Sequence, residues 1–174
     1  MKNIQEIKGK RIYLKLLTKE NASPVYCSWL NDPEVTKYLK TKKATIARLK
    51  KYIQEKNENL NCLFLGIFFK KNKKHIGNIK LEPIDFRKKK ATIGIMIGDK
   101  NYWGKGLATE SLKLLVDYGF HKLNLKEVNL GVVSENKAAI KIYQKAGFKI
   151  NKIEKKSIHR NNKLFDRIIM KIKK

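Results

Sequence analysis

A mixed α/β fold is predicted by two features of the sequence. The first half carries apolar strand-like segments separated by basic turns, the pattern of an antiparallel meander. From Thr92 onward the order changes to strand, glycine turn, amphipathic helix, strand, helix and a final pair of strands. The expected architecture is α/β (α+β), a mixed, mostly antiparallel central sheet of about seven strands flanked by about four helices. At 174 residues the chain reads as one domain, 1–174, large enough to bury a core without metal or disulfide support.

Each element has a local reason. Arg11 to Leu17 alternates, with Ile12, Leu14 and Leu16 on one face, and reads as a strand. Ser23-Pro24 opens a short helix through Trp29, since proline suits the first helical turn, and Asn31-Asp32-Pro33 stops it. A second helix is expected from Thr45 to Asn57, with Ile46, Leu49 and Ile53 on one side. Cys62 to Phe69 is a strongly apolar strand, followed by strands from Ile76 to Ile84 and Thr92 to Gly98. The basic runs Lys70 to Lys74 and Arg87 to Lys90 sit between them as hairpin tips. A helix starting near Gly106 repeats Leu112, Leu115, Val116, Gly119 and Leu123 at helical steps. After the strand Glu127 to Val133, Asn136 lies near the start of a last helix, whose stripe Ala139, Ile142, Tyr143 and Ala146 ends before Gly147. Phe148 to Ile158 and Leu164 to Ile172 complete the sheet.

The net charge of +26, from 41 Lys and Arg against 15 Asp and Glu, sets a field that attracts anionic ligands. Only five of the cations are Arg, and the Lys surplus is spread along the chain, which disfavours nucleic acid as a partner while leaving it open. Two isolated cysteines, Cys27 and Cys62, and three scattered histidines predict neither a disulfide framework nor a metal site. The first ten residues lack the apolar core of a signal peptide and no apolar run reaches membrane-spanning length, so the expectation is a cytoplasmic protein without a membrane partner.

In the strand from Thr92, Ile93, Ile95 and Ile97 point one way and Gly94, Met96 and Gly98 the other, and Gly131 interrupts the later strand. Such glycines fit either a narrow ligand entering between parted strands or close packing of a neighbouring element. The turn Gly98 to Gly106 is a poor match to two phosphate loops. Its glycine interval is one residue too long for a Walker A loop, and Gly104 to Thr109 lacks the third glycine of a dinucleotide fingerprint. What the turn shares with both is free amides at a helix start, where an anion binds and glycine permits close approach. Tyr143 has two open readings, a core aromatic with its hydroxyl at the edge or a general acid.

Asn101-x-x-Gly104-x-Gly106-x-Ala108-Thr109-Glu110, then Asn136, then Ile142-Tyr143-Gln144-Lys145-Ala146-Gly147-Phe148, resembles the acetyl-CoA site of the GNAT superfamily of N-acetyltransferases. Tyr102-Trp103-Gly104-Lys105-Gly106 and Trp29-Leu30-Asn31-Asp32-Pro33 are similar to its RimJ/RimL-like branch, with Asn101 departing from the usual Gln or Arg. The resemblance implies a GNAT-like sheet with splayed central strands and direct acetyl transfer from acetyl-CoA, without metal, to a primary amine. It implies that Met96 and Ile97 hold the pantetheine arm and that Trp103, Gly104, Lys105, Gly106 and Leu107 take the pyrophosphate. Asn136 would bond the cofactor, and Tyr143 would protonate the leaving thiolate. Thr92 stands where related sequences often carry an acid, so Glu82, with Asp85 behind it, or a water chain is the expected proton acceptor.

The expected acceptor is a small amine on an anionic carrier such as a nucleotide-linked sugar. N-terminal amines of ribosomal or other proteins are the alternative, and a catalytically weak nucleic-acid- or ribosome-binding module is the alternative outside enzymes. Acceptor choice is expected to lie in Ser23 to Asn57 and in the tail after Asn151, and a homodimer is allowed.

Overall fold

The computed structural model describes residues 4–39, 43–160 and 163–174. A two-residue strand, β1 (Ile7–Lys8), precedes β2 (Ile12–Leu16), whose alternation buries Ile12 and Leu14 completely. The two helices that follow are each capped by the hydroxyl before them. Ser23 accepts from the Tyr26 amide at 3.1 Å to start α1 (Pro24–Asn31), and Thr45 accepts from the Arg48 amide at 3.3 Å to start α2 (Ile46–Glu58). Next come β3 (Leu63–Phe69), β4 (Lys74–Asp85) and β5 (Lys90–Ile97), completing an antiparallel meander with the basic runs at its turns. A crossover through α3 (Leu107–His121) reaches β6 (Glu127–Val133), and α4 (Lys137–Lys145) leads to β7 (Lys149–Arg160) and β8 (Lys163–Lys173).

Among the described residues the sheet has eight strands in the order β1-β2-β3-β4-β5-β6-β8-β7, one more than the expected seven. The addition is β1, too short to display a period of its own. Every pairing is antiparallel except that of β5 with β6. Apolar layers cover both faces. Leu112, Leu115 and Val116 of α3 and Ile140 of α4 pack with Ile12, Leu65, Val128 and Met170, while α1 and α2 contribute Tyr26, Trp29, Leu49 and Ile53 to a second layer with Leu17 and Phe64. Each fully buried Leu or Ile contributes about 1.5–3 kcal/mol.

This frame opens at one place. β5 and β6 pair only at Lys90–Glu127, Ala91–Val128 and Thr92–Asn129, although the strands run on to Ile97 and Val133. Each remains tied to its outer neighbour: β5 to β4 as far as Ile97, and β6 to β8 along its whole length. The two strands therefore part from each other and leave a gap that widens towards Ile97 and Val133.

Candidate active site

The register of β4 and β5 decides which main-chain groups face this gap. Gly98 donates to the Ile76 carbonyl at 2.9 Å, which fixes the phase of the antiparallel ladder. Met96, two residues earlier and opposite Asn78, therefore has its amide and carbonyl turned to β4. The groups turned to the gap belong to Ile95 and Ile97. The expected pair Met96 and Ile97 is corrected on this point, because successive residues of a strand point their main-chain groups to opposite sides. One of the Ile97 carbonyl's lone pairs is already taken by the Trp103 indole, which donates at 2.8 Å.

Three glycines read as possible ligand space have different occupants. A side chain on Gly98 would collide with the Trp29 ring, and one on Gly131 would collide with the Arg167 side chain. A side chain on Gly94 would meet only the Lys80 stem, in ordinary contact at 3.8 Å. The parting of the strands thus comes from their outer pairings, and two of the glycines serve packing.

Beside the open end lies the glycine turn. Asp99 accepts from the Asn101 amide at 3.0 Å and pairs with Lys74 at 2.9 Å, starting a 3-10 turn over Lys100–Tyr102. Lys100 ties that turn to the end of α1 through Asp32 at 2.8 Å and Glu34 at 2.9 Å. Gly104 and Gly106 have φ of 71° and 73°, left-handed values that favour glycine, and Gly106 is the residue from which α3 starts. The amides of the first turn of α3 are consequently free and directed at the loop. Behind it, Glu110 accepts from the Arg11 amide at 2.7 Å, the Ile12 amide at 3.3 Å and Arg11 Nε at 2.8 Å, while Arg11 Nη1 donates to the Lys105 carbonyl at 2.8 Å. Burial alone would raise the Glu110 pKa, but these donors outweigh it and hold the carboxyl below its ordinary range. Sequence reading missed this contact, since Arg11 and Glu110 are 99 residues apart.

Asn136 caps α4 by accepting from the Ala139 amide at 3.2 Å, and its amide nitrogen takes no protein partner among the described residues. Tyr143 packs against the core and meets Phe148 edge to face at 6.1 Å between ring centres. Burial pushes its pKa up to about 12. Among the described residues its hydroxyl takes no hydrogen bond, and no fully buried side-chain polar atom lacks one, so the hydroxyl reaches accessible space.

The opposite face of the parted strands carries Asn78, Lys80, Met96, Thr92 and Asn129. Thr92 donates to Asn129 at 2.9 Å, closing the base of the gap. Glu82 is held by Lys56 at 2.5 Å and Lys80 at 2.6 Å. Burial favours its neutral form, yet the two ammonium groups prevail and keep its pKa below normal, which makes it a weak proton acceptor. Asp85 accepts from the Lys88 amide at 2.8 Å in the β4–β5 turn, at the closed end of the pair and away from the opening. The segments expected to choose the acceptor include residues 40–42 and 161–162, which lie outside the described residues.

Comparison with known proteins supplies the family to which this fold belongs. The sequence model described as Acetyltransferase (GNAT) domain matches residues 11–149. The uncharacterized N-acetyltransferase p20 of Bacillus licheniformis is 34% identical over 143 residues, covering 80% of this chain and 79% of that protein. The spermidine N(1)-acetyltransferase of Escherichia coli K12 is 45% identical over 74 residues, 42% of this chain and 39% of that one. A crystal structure of spermidine N-acetyltransferase from Vibrio cholerae, in complex with CoA and spermine, superposes with a TM-score of 0.85 at 21% identity, covering 94% of this chain and 95% of that one. Fold, parted strands and family match define an enzyme, an acyltransferase. The chain belongs to the GNAT acetyltransferase family. Among the described residues no helix is long and apolar enough to cross a membrane, and no cluster of His, Cys, Asp or Glu could hold a metal.

Proposed function

We propose that the protein transfers acetyl from acetyl-CoA directly to a primary amine on an anionic small molecule, a nucleotide-linked amino sugar being the preferred example. The observation that carries this reading is the gap between β5 and β6 beside a left-handed glycine turn. It offers a slot for an extended arm and, next to it, amides for a diphosphate. Amides from Gly104, Lys105, Gly106 and Leu107 take the diphosphate, whereas the expected Trp103 amide is already engaged, donating to the Lys100 carbonyl at 3.0 Å to close the 3-10 turn. Ile95 and Ile97 provide main-chain groups for the pantetheine arm, and the Asn136 amide nitrogen donates to it.

The thioester supplies the activated acyl group. A C–N bond forms to the neutral amine, the C–S bond breaks, and the proton lost by the amine leaves through water. That route follows from the residues present, because Thr92 cannot accept a proton and Glu82 is neutralised by two cations. Tyr143 stays protonated across the neutral range. Full transfer of its proton to a thiolate of ordinary pKa, about 8.5, would be uphill. Its hydroxyl therefore acts by donating a hydrogen bond to sulfur as charge develops.

The anionic character of the acceptor is supported by the net charge of +26 and by Lys80 and Arg167, which lie on the same face of the sheet as Asn78 and Met96. A polycation such as the spermidine of the E. coli relative's name would be repelled. The test is CoA release at fixed acetyl-CoA with a nucleotide-linked amino sugar, spermidine and an N-terminal peptide as acceptors. The amino sugar should be preferred, and Tyr143→Phe should lower kcat about a hundredfold or more without weakening CoA binding. Preference for spermidine would reject the anionic acceptor. Failure with every amine, together with salt-sensitive nucleic-acid binding, would reject transfer to a small amine.

A further inference from the structure

We infer that Arg11 is a positioning residue for the cofactor turn, setting the direction of the Gly106 amide without touching the thioester. This rests on the reading of the turn as the diphosphate cradle. Lys105 lies between two glycines in left-handed conformations, the segment of the turn with the least steric restraint. Arg11 Nη1 donates to the Lys105 carbonyl at 2.8 Å. In a planar trans peptide the carbonyl and the following N–H point in opposite directions. Holding the Lys105 carbonyl against Arg11 thus aims the Gly106 N–H away from Arg11, to the other side of the turn.

The guanidinium is itself held in place. Its Nε donates to Glu110 Oε2 at 2.8 Å, and Glu110 Oε1 accepts from the Arg11 and Ile12 amides. One carboxylate therefore joins the start of β2 to the first turn of α3, and one guanidinium joins that pair to the turn. A third side of the packing is closed by Gly9, where an added side chain would meet Glu110 Oε1 at 3.0 Å. Lysine in place of Arg11 could reach either Glu110 or the Lys105 carbonyl, but its single ammonium lacks the rigid fork that serves both.

Calorimetric titration with CoA and with S-acetylpantetheine, which lacks the diphosphate, separates this role from general support of the fold. Arg11→Ala should weaken CoA about tenfold, the scale of one hydrogen bond to a charged group, and leave S-acetylpantetheine binding unchanged. Arg11→Lys and Glu110→Gln should show smaller losses of the same kind, and they carry the test should Arg11→Ala fail to fold. In turnover, KM for acetyl-CoA should rise while kcat and the acceptor KM stay level. Gly106→Ala is the control for the cradle itself. If it weakens CoA while the Arg11 and Glu110 variants do not, the positioning role is overturned and the cradle stands. Equal losses for both ligands in the Arg11 variants overturn it as well, and unchanged CoA affinity in Gly106→Ala overturns the cradle reading.

Discussion

At Gly77 the absence of one methyl group holds two strands at their spacing. A side chain there would fall inside van der Waals contact with the Met96 carbonyl oxygen and the Ile97 Cα, both main-chain atoms that cannot swing aside. Gly77→Ala should cost about 1–3 kcal/mol and lower the melting temperature, and it should also weaken CoA by displacing the near wall of the gap. His75 is a second informative residue. Its Nε2 lies 2.9 Å from both the Gly77 carbonyl and Asn78 Oδ1, and Tyr26, Trp29 and Phe68 surround the ring. Burial, opposed by those hydrogen bonds, holds its pKa below the ordinary value. The neutral ring is thus the folded form, and the fold should lose stability as pH falls below about 6.5, where the unfolded chain takes up a proton more readily. The denaturation midpoint of the wild type should drop between pH 7 and 5.5, and that of His75→Gln should stay nearly level. None of this was legible from the sequence, where His75 is one of three scattered histidines. The places of Asn136 at the start of α4 and of Tyr143 within it were legible because their neighbours form recognisable runs. Arg11 was not, because its partners come from a distant helix.

Elements in this protein are joined at their ends by carboxylates placed against cations. Asp99 starts the 3-10 turn, Glu110 sits in the first turn of α3, and Glu82 joins β4 to α2 through Lys56. In all three, burial pushes the pKa up, but hydrogen bonds and nearby cations outweigh it, so each is lowered. A lowered folded pKa gives stability that is present above the unfolded value, about 4, and is lost as pH falls through the folded value. Glu82→Gln should therefore be less stable than wild type at pH 7, and the difference should shrink as pH drops to 3 in urea denaturation. Element types and order were readable because apolar periodicity and caps are local, and the basic hairpin tips fell where the apolar runs left them. The occupants of the glycine positions were not, since alternation tells which side a glycine faces and says nothing of Trp29 or Arg167 lying upon it.

Over the whole molecule, a net charge of +26 acts on a ligand before any contact is made. With an anionic acceptor, kcat/KM should fall as salt rises from about 0.01 to 0.3 M, because the screening length shortens from about 30 Å to under 10 Å. With a neutral acceptor the decline should be small. The mixed sheet and its flanking helices could be foreseen, whereas the extent of the gap depends on how far β5 and β6 pair before their outer neighbours draw them apart. That interruption makes the sheet an unfinished ladder. The inward amides of Ile95 and Ile97 have lost the neighbour that would have protected them, so an extended ligand lying in the gap would stand in for a strand. Hydrogen exchange at these two amides should therefore slow when CoA is added, and the whole domain should melt higher as the missing rungs are supplied from outside the chain.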